Sequence, residues 1–273
     1  IDYSQYDPEA LEGGEGFEDI AEELGWETNE DYKIIGDFNA KKGGTVTLAS
    51  SEYPPTLRTV GKDTQLMILS LIEGLVYETL LGIDSETLEY TPGLATDWKI
   101  SKDEQTFWFR INPDARWSDG RRVTADDVVA TWFLRMDETI LDPSQQVYFG
   151  SFEEPVAESM YILSVVAKEP YWRNFYIFAY ENDILPAHYV DQVDGSEFIE
   201  KYQFKLMPGS GPYTIKDENI VNQESYKLTR REDFWGKALP QNRNRYNFDA
   251  INFFVIKGND ALTFEKFKKS EFD

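Results

Sequence analysis

The sequence predicts a mixed α/β fold, of the α/β or α+β type, with one large or two smaller domains. Runs of β-branched and aromatic residues indicate strands, as at 45–49 and 106–111. Thr124 with Asp127 three residues later forms a capping-box pattern before an apolar run and indicates a helix start. Strands and helices follow one another without strict alternation, which argues against a barrel. A chain of 273 residues with 41% hydrophobic side chains can bury a sizeable core.

The other elements follow from the same signals. A loop over 51–62 precedes a helix over 65–81, which is apolar almost all round, so we expect it to be buried between layers. We expect a core built from five aromatic side chains, Phe107, Trp108, Phe109, Trp117 and Trp132. Further strands are predicted at 161–168, 213–215, 226–230 and 251–257, and further helices at 186–193, 196–202 and 260–269.

The first forty residues form an acidic N-terminal arm. They hold thirteen acidic residues and one basic residue, Lys33, and so carry −12 of the net charge of −23. Within the arm, apolar residues spaced from Phe17 to Leu24 predict a short amphipathic helix. The chain does not begin with Met, so we expect its numbering to start after a removed signal peptide or at the boundary of a cloned segment.

Charge and composition exclude several classes of function. With 50 acidic and 27 basic residues, the chain lacks the basic surplus that a nucleic acid or an anionic membrane would require. The absence of cysteine excludes disulfides, thiolate nucleophiles, iron–sulfur clusters and cysteine-type zinc sites. A single histidine, His188, excludes a histidine-rich metal site. We therefore expect no metal and no cofactor.

A search for catalytic motifs predicts no catalytic residues. The run Gly209-Ser210-Gly211 is neither a nucleophile elbow nor a phosphate-binding loop. His188 follows Pro186 at a predicted helix start, where a structural hydrogen bond is the expected role. Asp126 and Asp127 lie at the positive end of a helix dipole and are best explained as capping charges.

Spaced motifs along the chain resemble the signature of the family 5 extracellular solute-binding proteins, the peptide- and nickel-binding receptors of ATP-driven importers. Three of them are Trp117-Ser118-Asp119-Gly120, Leu185-Pro186-Ala187-His188 and Gly209-Ser210-Gly211-Pro212-Tyr213. The others lie at 77–81, 92–98, 101–103, 106–111, 123–128, 228–236, 248–251 and 267–273. The resemblance covers residues 43–273, and it is specific because so many motifs occur in the right order.

The resemblance implies a periplasmic binding protein-like fold of two lobes. Residues 41–81 and 175–273 would form the first ligand-binding lobe, and residues 82–174 would form a small accessory domain beside it. The second lobe is expected to be absent from this chain, which resembles the N-terminal half of a family member. The arm at 1–40 has no counterpart in the family pattern, and Ser210 stands where Thr is usual.

The resemblance also implies a function. The chain would belong to a receptor, not an enzyme, that captures an oligopeptide or another small ligand between two lobes. The receptor would deliver this ligand to the membrane permease subunits of an ABC importer. It would act in the periplasm or at the extracellular face, and the sequence leaves open whether a lipid anchor holds it there.

The resemblance places ligand contacts of the first lobe in the loop after the first strand, at Thr59, Val60, Gly61 and Lys62. Extended backbone here could pair with a peptide main chain. Gly61 would allow close approach, and Lys62 could meet a ligand carboxylate. The alternative is an ordinary connecting loop without ligand contacts.

Two functions of other classes stay open at this point. Acidic residues and aromatic platforms would also suit a secreted carbohydrate-active enzyme. The acidic arm at 1–40 would alternatively suit an interaction module that binds a partner protein.

Overall fold

The computed structural model describes residues 25–31, 34–66 and 69–273. The predicted helix between Phe17 and Leu24 lies outside these residues. The strands are β1 (Trp26–Glu27), β2 (Thr45–Ser50), β3 (Leu81–Ile83), β4 (Tyr90–Pro92), β5 (Ala95–Ile100), β6 (Thr106–Ile111), β7 (Val156–Ala157), β8 (Ile162–Val166), β9 (Tyr213–Thr214), β10 (Ile220–Val221), β11 (Ser225–Arg230) and β12 (Ala250–Val255).

The helices lie between and after these strands. They are α1 (Ser70–Val76), α2 (Ala125–Met136), α3 (Pro143–Phe149), α4 (Asn174–Tyr180), α5 (Ala187–Val190), α6 (Gly195–Lys201) and α7 (Asp260–Lys268). Short 3-10 turns occur at Glu138–Ile140, Asp217–Asn219, Trp235–Ala238 and Pro240–Asn242. The mixed α/β class predicted from the sequence is confirmed, and most predicted strands and helices are present with bounds shifted by a few residues.

The first sheet has five antiparallel strands in the order β1-β5-β6-β8-β7. Alternation along β6 buries Phe107 and Phe109 beneath α4, where Phe175 lies 5.5 Å and Phe178 lies 5.9 Å from the Phe109 ring centroid. The prediction that Trp108 joins this core is wrong, because alternate residues of a strand face opposite sides. Trp108 lies half-buried on the other face of the sheet, where its indole Nε1 donates to Glu158 at 3.1 Å.

The second sheet has the order β10-β11-β12-β2, and β9 pairs with β11 beside this path. β2 and β12 run parallel, with Thr45 opposite Ala250, whereas the other pairs are antiparallel. Tyr226 of β11 stacks on Phe253 of β12 with ring centroids 4.7 Å apart. The parallel pair joins residues about two hundred positions apart, so this sheet assembles from both ends of the chain.

The helix predicted over 65–81 is shorter and less buried than expected. Helix α1 spans only Ser70–Val76, and Tyr77 is already extended, with φ −115° and ψ 142°. Ile72 and Val76 are fully buried, but Leu71 is 40% exposed. The helix ends early because a distant segment takes over its hydrogen bonding: Gly211 N–H donates to the Val76 carbonyl at 2.9 Å. Apolar periodicity carries no information about such a long-range partner.

The two sheets fall into different predicted units. Most of the first sheet lies in the predicted accessory domain at 82–174, and the second sheet lies in the predicted first lobe at 41–81 and 175–273. Apart from β1, the first sheet comes, together with α2, from residues 95–166, while the second sheet comes from 45–50 and 213–255. Contacts also cross these bounds, and two of them involve the first sheet. Trp26 of the predicted arm pairs with Lys99 of β5, and α4 packs on the first sheet. The exact domain bounds stay a prediction.

Candidate functional site

The structure contains an open cleft of about 780 Å³. Its lining comes from the loop after β2, helix α1, the end of α2 and helix α4. The strand pair β3–β4 and the segment 239–246 also line it. Its lining mixes tyrosine rings, amide side chains and charged groups, so it offers both apolar faces and hydrogen-bonding partners to a ligand.

The structure places Thr59 in the wall of this cleft and Val60 in the hydrophobic core, where it is 1% exposed. Gly61 has a φ of +91°, and a Cβ there would lie 2.9 Å from Ile140, so the loop requires glycine at this point. Lys62 is exposed and does not line the cleft. Of the four predicted contact residues, only Thr59 therefore borders the cleft directly.

The backbone of this loop is held by the chain itself. Arg58 donates from Nη1 to the Val60 carbonyl at 2.8 Å and from Nη2 to the Lys62 carbonyl at 2.9 Å. The Thr64 hydroxyl donates to the Gly61 carbonyl at 2.8 Å. A peptide that paired with this main chain would have to compete for those three carbonyls, so ligand contact at 59–62 stays a prediction.

Three charged side chains meet in the cleft: Glu73 of α1, Arg135 of α2 and Asp183 after α4. Arg135 is 3% exposed, and its guanidinium is held by neutral acceptors. Its Nη1 donates to Gln145 Oε1 at 2.7 Å, and its Nε donates to Asn182 Oδ1 at 3.0 Å. The Asp183 backbone carbonyl accepts from Nη2 at 3.4 Å. Amide groups thus fix the cation in place.

The two carboxylates are left without such partners. Within the described residues, neither Glu73 nor Asp183 accepts a side-chain hydrogen bond or has a cation within 4.0 Å. Burial raises the pKa of Glu73, and the charge of Arg135 partly offsets this. Burial, and then the charge of Glu73, raise the pKa of Asp183 to about 7 despite Arg135. The cleft therefore holds two acids that lack bound donors.

A third acid, Glu78, has direct partners. Its Oε2 accepts from the Trp235 indole Nε1 at 2.9 Å, and its backbone N–H donates to the Ser210 hydroxyl at 3.2 Å. Burial raises the pKa of Glu78 to about 7, while the hydrogen bonds from Trp235 and Ser210 and the charge of Arg231 act in the opposite direction. Glu78 thus links the end of α1 to the family motifs at 209–213 and 228–236.

The motif at 209–213 acts as a support for α1. A Cβ at Gly209 would lie 2.2 Å from the Val76 carbonyl oxygen, and one at Gly211 would lie 2.5 Å from the Leu75 carbonyl oxygen. Arg231 Nη1 donates to the carbonyls of both glycines, at 2.9 and 2.8 Å. Only glycine allows this close approach, which fixes the helix that carries Glu73.

Asp127 and His188 have structural roles, as predicted. Asp127 completes the capping box with Thr124, whose N–H donates to Asp127 Oδ2 at 2.7 Å, and it also accepts from Ala187 N–H at 2.7 Å. Burial raises its pKa to about 7 against these hydrogen bonds. His188 Nε2 lies 2.7 Å from Asp119 Oδ2 and so joins α5 to the turn at 117–120.

Sequence reasoning missed Glu73, Arg135 and Asp183 as cleft residues. Glu73 and Arg135 are single charges inside otherwise apolar helical stretches, which is a signal for a buried polar contact. Asp183 gave no local signal, because only tertiary packing brings it to the other two. In the part of the chain that the structure describes, no group of three or more His, Cys, Asp or Glu residues could hold a metal ion.

None of the helices within the described ranges is both long and apolar enough to span a lipid bilayer.

Comparison with solved structures supports the fold. The oligopeptide-binding protein AppA of Bacillus subtilis, solved with a nonapeptide, matches with a TM-score of 0.72 at 21% identity, over 86% of this chain and 44% of AppA. A mannohexaose-bound periplasmic oligopeptide-binding protein of Thermotoga maritima matches with a TM-score of 0.69 at 20% identity, over 87% of this chain and 42% of that one. The predicted periplasmic binding protein-like fold, present here in part, is confirmed.

Relatives found by sequence comparison are also described as binding proteins. The probable peptide-binding protein YejA of Agrobacterium fabrum is 28% identical over 86% of this chain and 37% of its own length. The peptidoglycan-binding protein YepA of the same organism is 30% identical over 73% of this chain and 31% of its own length. The chain thus spans about a third of the length of these relatives.

The family model of the bacterial extracellular solute-binding proteins, family 5, matches residues 89–273, which is more than half of the chain. The predicted resemblance is thereby confirmed, and the chain belongs to the family 5 bacterial extracellular solute-binding proteins.

Proposed function

We propose that this chain provides the first ligand-binding lobe and the accessory domain of a solute-binding receptor that serves an ABC importer. The first lobe would comprise residues 41–81 and 175–273, and the accessory domain residues 82–174. A second lobe, which the family resemblance implies, would close over the ligand about a hinge. The closed form would then be recognised by the permease subunits.

The observation that carries this proposal is the open cleft of about 780 Å³. It lies beside the loop for which ligand contact was predicted, and Thr59 belongs to both. Four amide side chains on its lining supply donors and acceptors for main-chain amides or hydroxyls: Gln65, Gln145, Gln241 and Asn242. Four tyrosines, Tyr77, Tyr176, Tyr180 and Tyr246, supply apolar faces.

An oligopeptide is the ligand class that this lining and the relatives favour together. YejA of Agrobacterium fabrum is described as probably peptide-binding, and AppA was solved with a nonapeptide. Thr59, Val60, Gly61 and Lys62 would contribute from the loop after β2, with Thr59 as the direct contact. Lys62 would reach a ligand carboxylate only if the ligand extends beyond the cleft.

The receptor would not act as an enzyme. Of the cleft acids, Glu78 is engaged by Trp235, and its immediate surroundings support the end of α1. Glu73 and Asp183 border a wide polar cleft beside a firmly held arginine, an arrangement that suits binding. The receptor would work in the periplasm or at the outer face of the cell membrane, with its signal peptide removed. A lipid anchor there is compatible with this role.

Native mass spectrometry of the two-lobed receptor that would contain this chain, purified from its source cells, tests the proposal. The expected spectrum shows an added mass of small-molecule size that disappears on denaturation, and tandem fragmentation of that mass yields amino-acid losses. A bulky cleft variant, Gly74→Trp, should lose this mass, because nothing lies within 4 Å of a Cβ at Gly74 and the ring would fill the cleft. An equally bulky variant on the exposed surface, Lys102→Trp, should keep it.

A ligand-free wild-type receptor, or an added mass that survives Gly74→Trp unchanged, would contradict the proposal. Turnover of a glycan substrate by the purified chain would favour the carbohydrate-active enzyme instead.

A further inference from the structure

A second, much smaller cavity adjoins the loop after β2. Its volume of about 10 Å³ is the space that one water molecule needs. Thr59 and Tyr77 line both this cavity and the cleft, so the two share part of a wall. Much of the remaining lining comes from the segment 198–207, which contains the end of α6. The cavity is thus too small for a ligand of the cleft, but it adjoins residues that border the cleft.

Three polar side-chain atoms of the lining residues lack hydrogen-bond partners within the described parts of the chain. They are Arg58 Nε, the Thr59 hydroxyl oxygen and the Tyr202 hydroxyl oxygen. Arg58, Thr59 and Tyr202 are 5%, 8% and 2% exposed, so bulk water does not satisfy these atoms. A buried donor or acceptor without a partner is unfavourable, and three of them on residues that line one cavity indicate a common partner inside it.

The chemistry of the three groups defines this partner. Arg58 uses Nη1 and Nη2 to hold the carbonyls of Val60 and Lys62, and its Nε–H is the donor that lacks an acceptor. A guanidinium group only donates, whereas a hydroxyl group also accepts. A metal cation would be repelled by the guanidinium charge. The partner must therefore accept from Arg58, donate to hydroxyl oxygens and fit the space of one water molecule.

We propose that one water molecule is bound in this cavity, where it accepts a hydrogen bond from Arg58 Nε and donates to the hydroxyl oxygens of Thr59 and Tyr202. Three hydrogen bonds are the usual number for a buried water molecule. These bonds join the loop after β2 to the residue that follows α6. This inference goes beyond the proposed function, because it involves no ligand of the cleft.

The bound water extends a direct link between the same two segments. The Leu57 N–H donates to the Gln203 carbonyl at 2.7 Å, and the Thr56 hydroxyl donates to the same carbonyl at 2.9 Å. Both direct bonds lie before Arg58 in the chain, whereas the water reaches Thr59 at the border of the cleft. The water therefore positions the part of the loop that the direct bonds do not hold.

A crystal structure of the intact protein at high resolution tests whether the cavity holds water. The expected result is one ordered peak of water density at about 2.7–3.2 Å from Arg58 Nε and from both hydroxyl oxygens. A cavity without density, or direct hydrogen bonds among the three side chains, would overturn the proposal. Crystals soaked in bromide distinguish water from a halide ion, because an anomalous peak in the cavity would refute the assignment to water.

Removal of one hydroxyl group provides a test in solution in which the direction of the effect is decisive. Tyr202→Phe should lower the melting temperature of the intact protein by about 1–4 °C, because the bound water loses a hydrogen bond. If the Tyr202 hydroxyl had no partner, its removal would leave the melting temperature unchanged or raise it. Either of those two results would overturn the proposal.

The matched control is Tyr226→Phe. Tyr226 is 1% exposed, and its hydroxyl also lacks a partner among the described residues, but it does not line this cavity. Its replacement should leave the melting temperature unchanged or raise it. A loss equal to that of Tyr202→Phe would refute the bound water, because removal of any buried hydroxyl would then suffice. Circular dichroism verifies that both variants are folded.

Discussion

Replacement of Asp183 by Asn should flatten the dependence of stability on pH. Burial and the charge of Glu73 raise the Asp183 pKa from 3.8 to about 7 in the folded protein. The folded state then binds more protons than the unfolded state between these values, so this group's stabilisation is complete below about pH 4 and is lost as the pH rises through about 7. Asn keeps the shape of the side chain without a titrating group.

The size of the effect follows from the same pKa. Between pH 5 and pH 8, a carboxyl that shifts from 3.8 to about 7 changes the free energy of unfolding by at most about 3 kcal/mol. Contact with water in the cleft lowers this figure, so we expect about 1–3 kcal/mol. Urea denaturation of the wild-type chain at the two pH values should show greater stability at pH 5, and Asp183→Asn should lose that part of the difference.

A matched control is Glu200→Gln, which removes one charge from an exposed position. It should reproduce the wild-type dependence on pH. The reasoning would be refuted if Asp183→Asn kept the wild-type difference between pH 5 and pH 8, since the buried acid would then contribute nothing to it.

The remaining predictions concern the scaffold of the cleft, and urea denaturation at pH 8 measures each of them. Asp127→Ala should cost about 2–5 kcal/mol, because it leaves the buried N–H groups of Thr124 and Ala187 without an acceptor; a loss below about 1 kcal/mol would contradict this role. Gly209→Ala should cost at least about 2 kcal/mol, because its Cβ would lie 2.2 Å from the Val76 carbonyl oxygen, and wild-type stability would disprove the clash. Gly74→Ala, on the exposed side of α1 with open space around it, should instead stabilise the chain by about 0.5–1 kcal/mol, and a loss would count against the helix assignment.

Local signals were sufficient for much of the fold. The capping box of Thr124 and Asp127 depends on residues three positions apart, and the structure contains it as predicted. The strand at 106–111 was equally readable, because its composition is itself the signal. The position of Trp108 was misjudged because composition does not state which face of a strand a side chain occupies, whereas alternation does.

The end of helix α1 could not be predicted from its own residues. Apolar side chains continue beyond Val76, but the Val76 carbonyl is bonded by Gly211, more than a hundred residues later. The motif at 209–213 stands out in the sequence as one of the family motifs, but its own residues do not identify α1 as its partner. A glycine pair of this kind predicts a close backbone contact, but it does not identify the segment on the other side of that contact.

The cleft was predictable only at one edge. The loop at 59–62 came from the family resemblance, and Thr59 does border the cleft. Glu73 and Asp183 are 110 positions apart, and their proximity depends on how α1 and the segment after α4 pack around Arg135. Single charges in apolar stretches indicate that a buried contact exists, but long-range packing determines which residues form it.

The most direct test of a ligand-binding cleft is an NMR map of backbone amides during titration with the tripeptide Ala-Lys-Ala. The account predicts saturable shifts concentrated at 59–66, 73–79, 176–183 and 239–246, the segments that line the cleft. Shifts that concentrate elsewhere, for example along the exposed face of α7 and the end of the chain, or that never saturate, would contradict it.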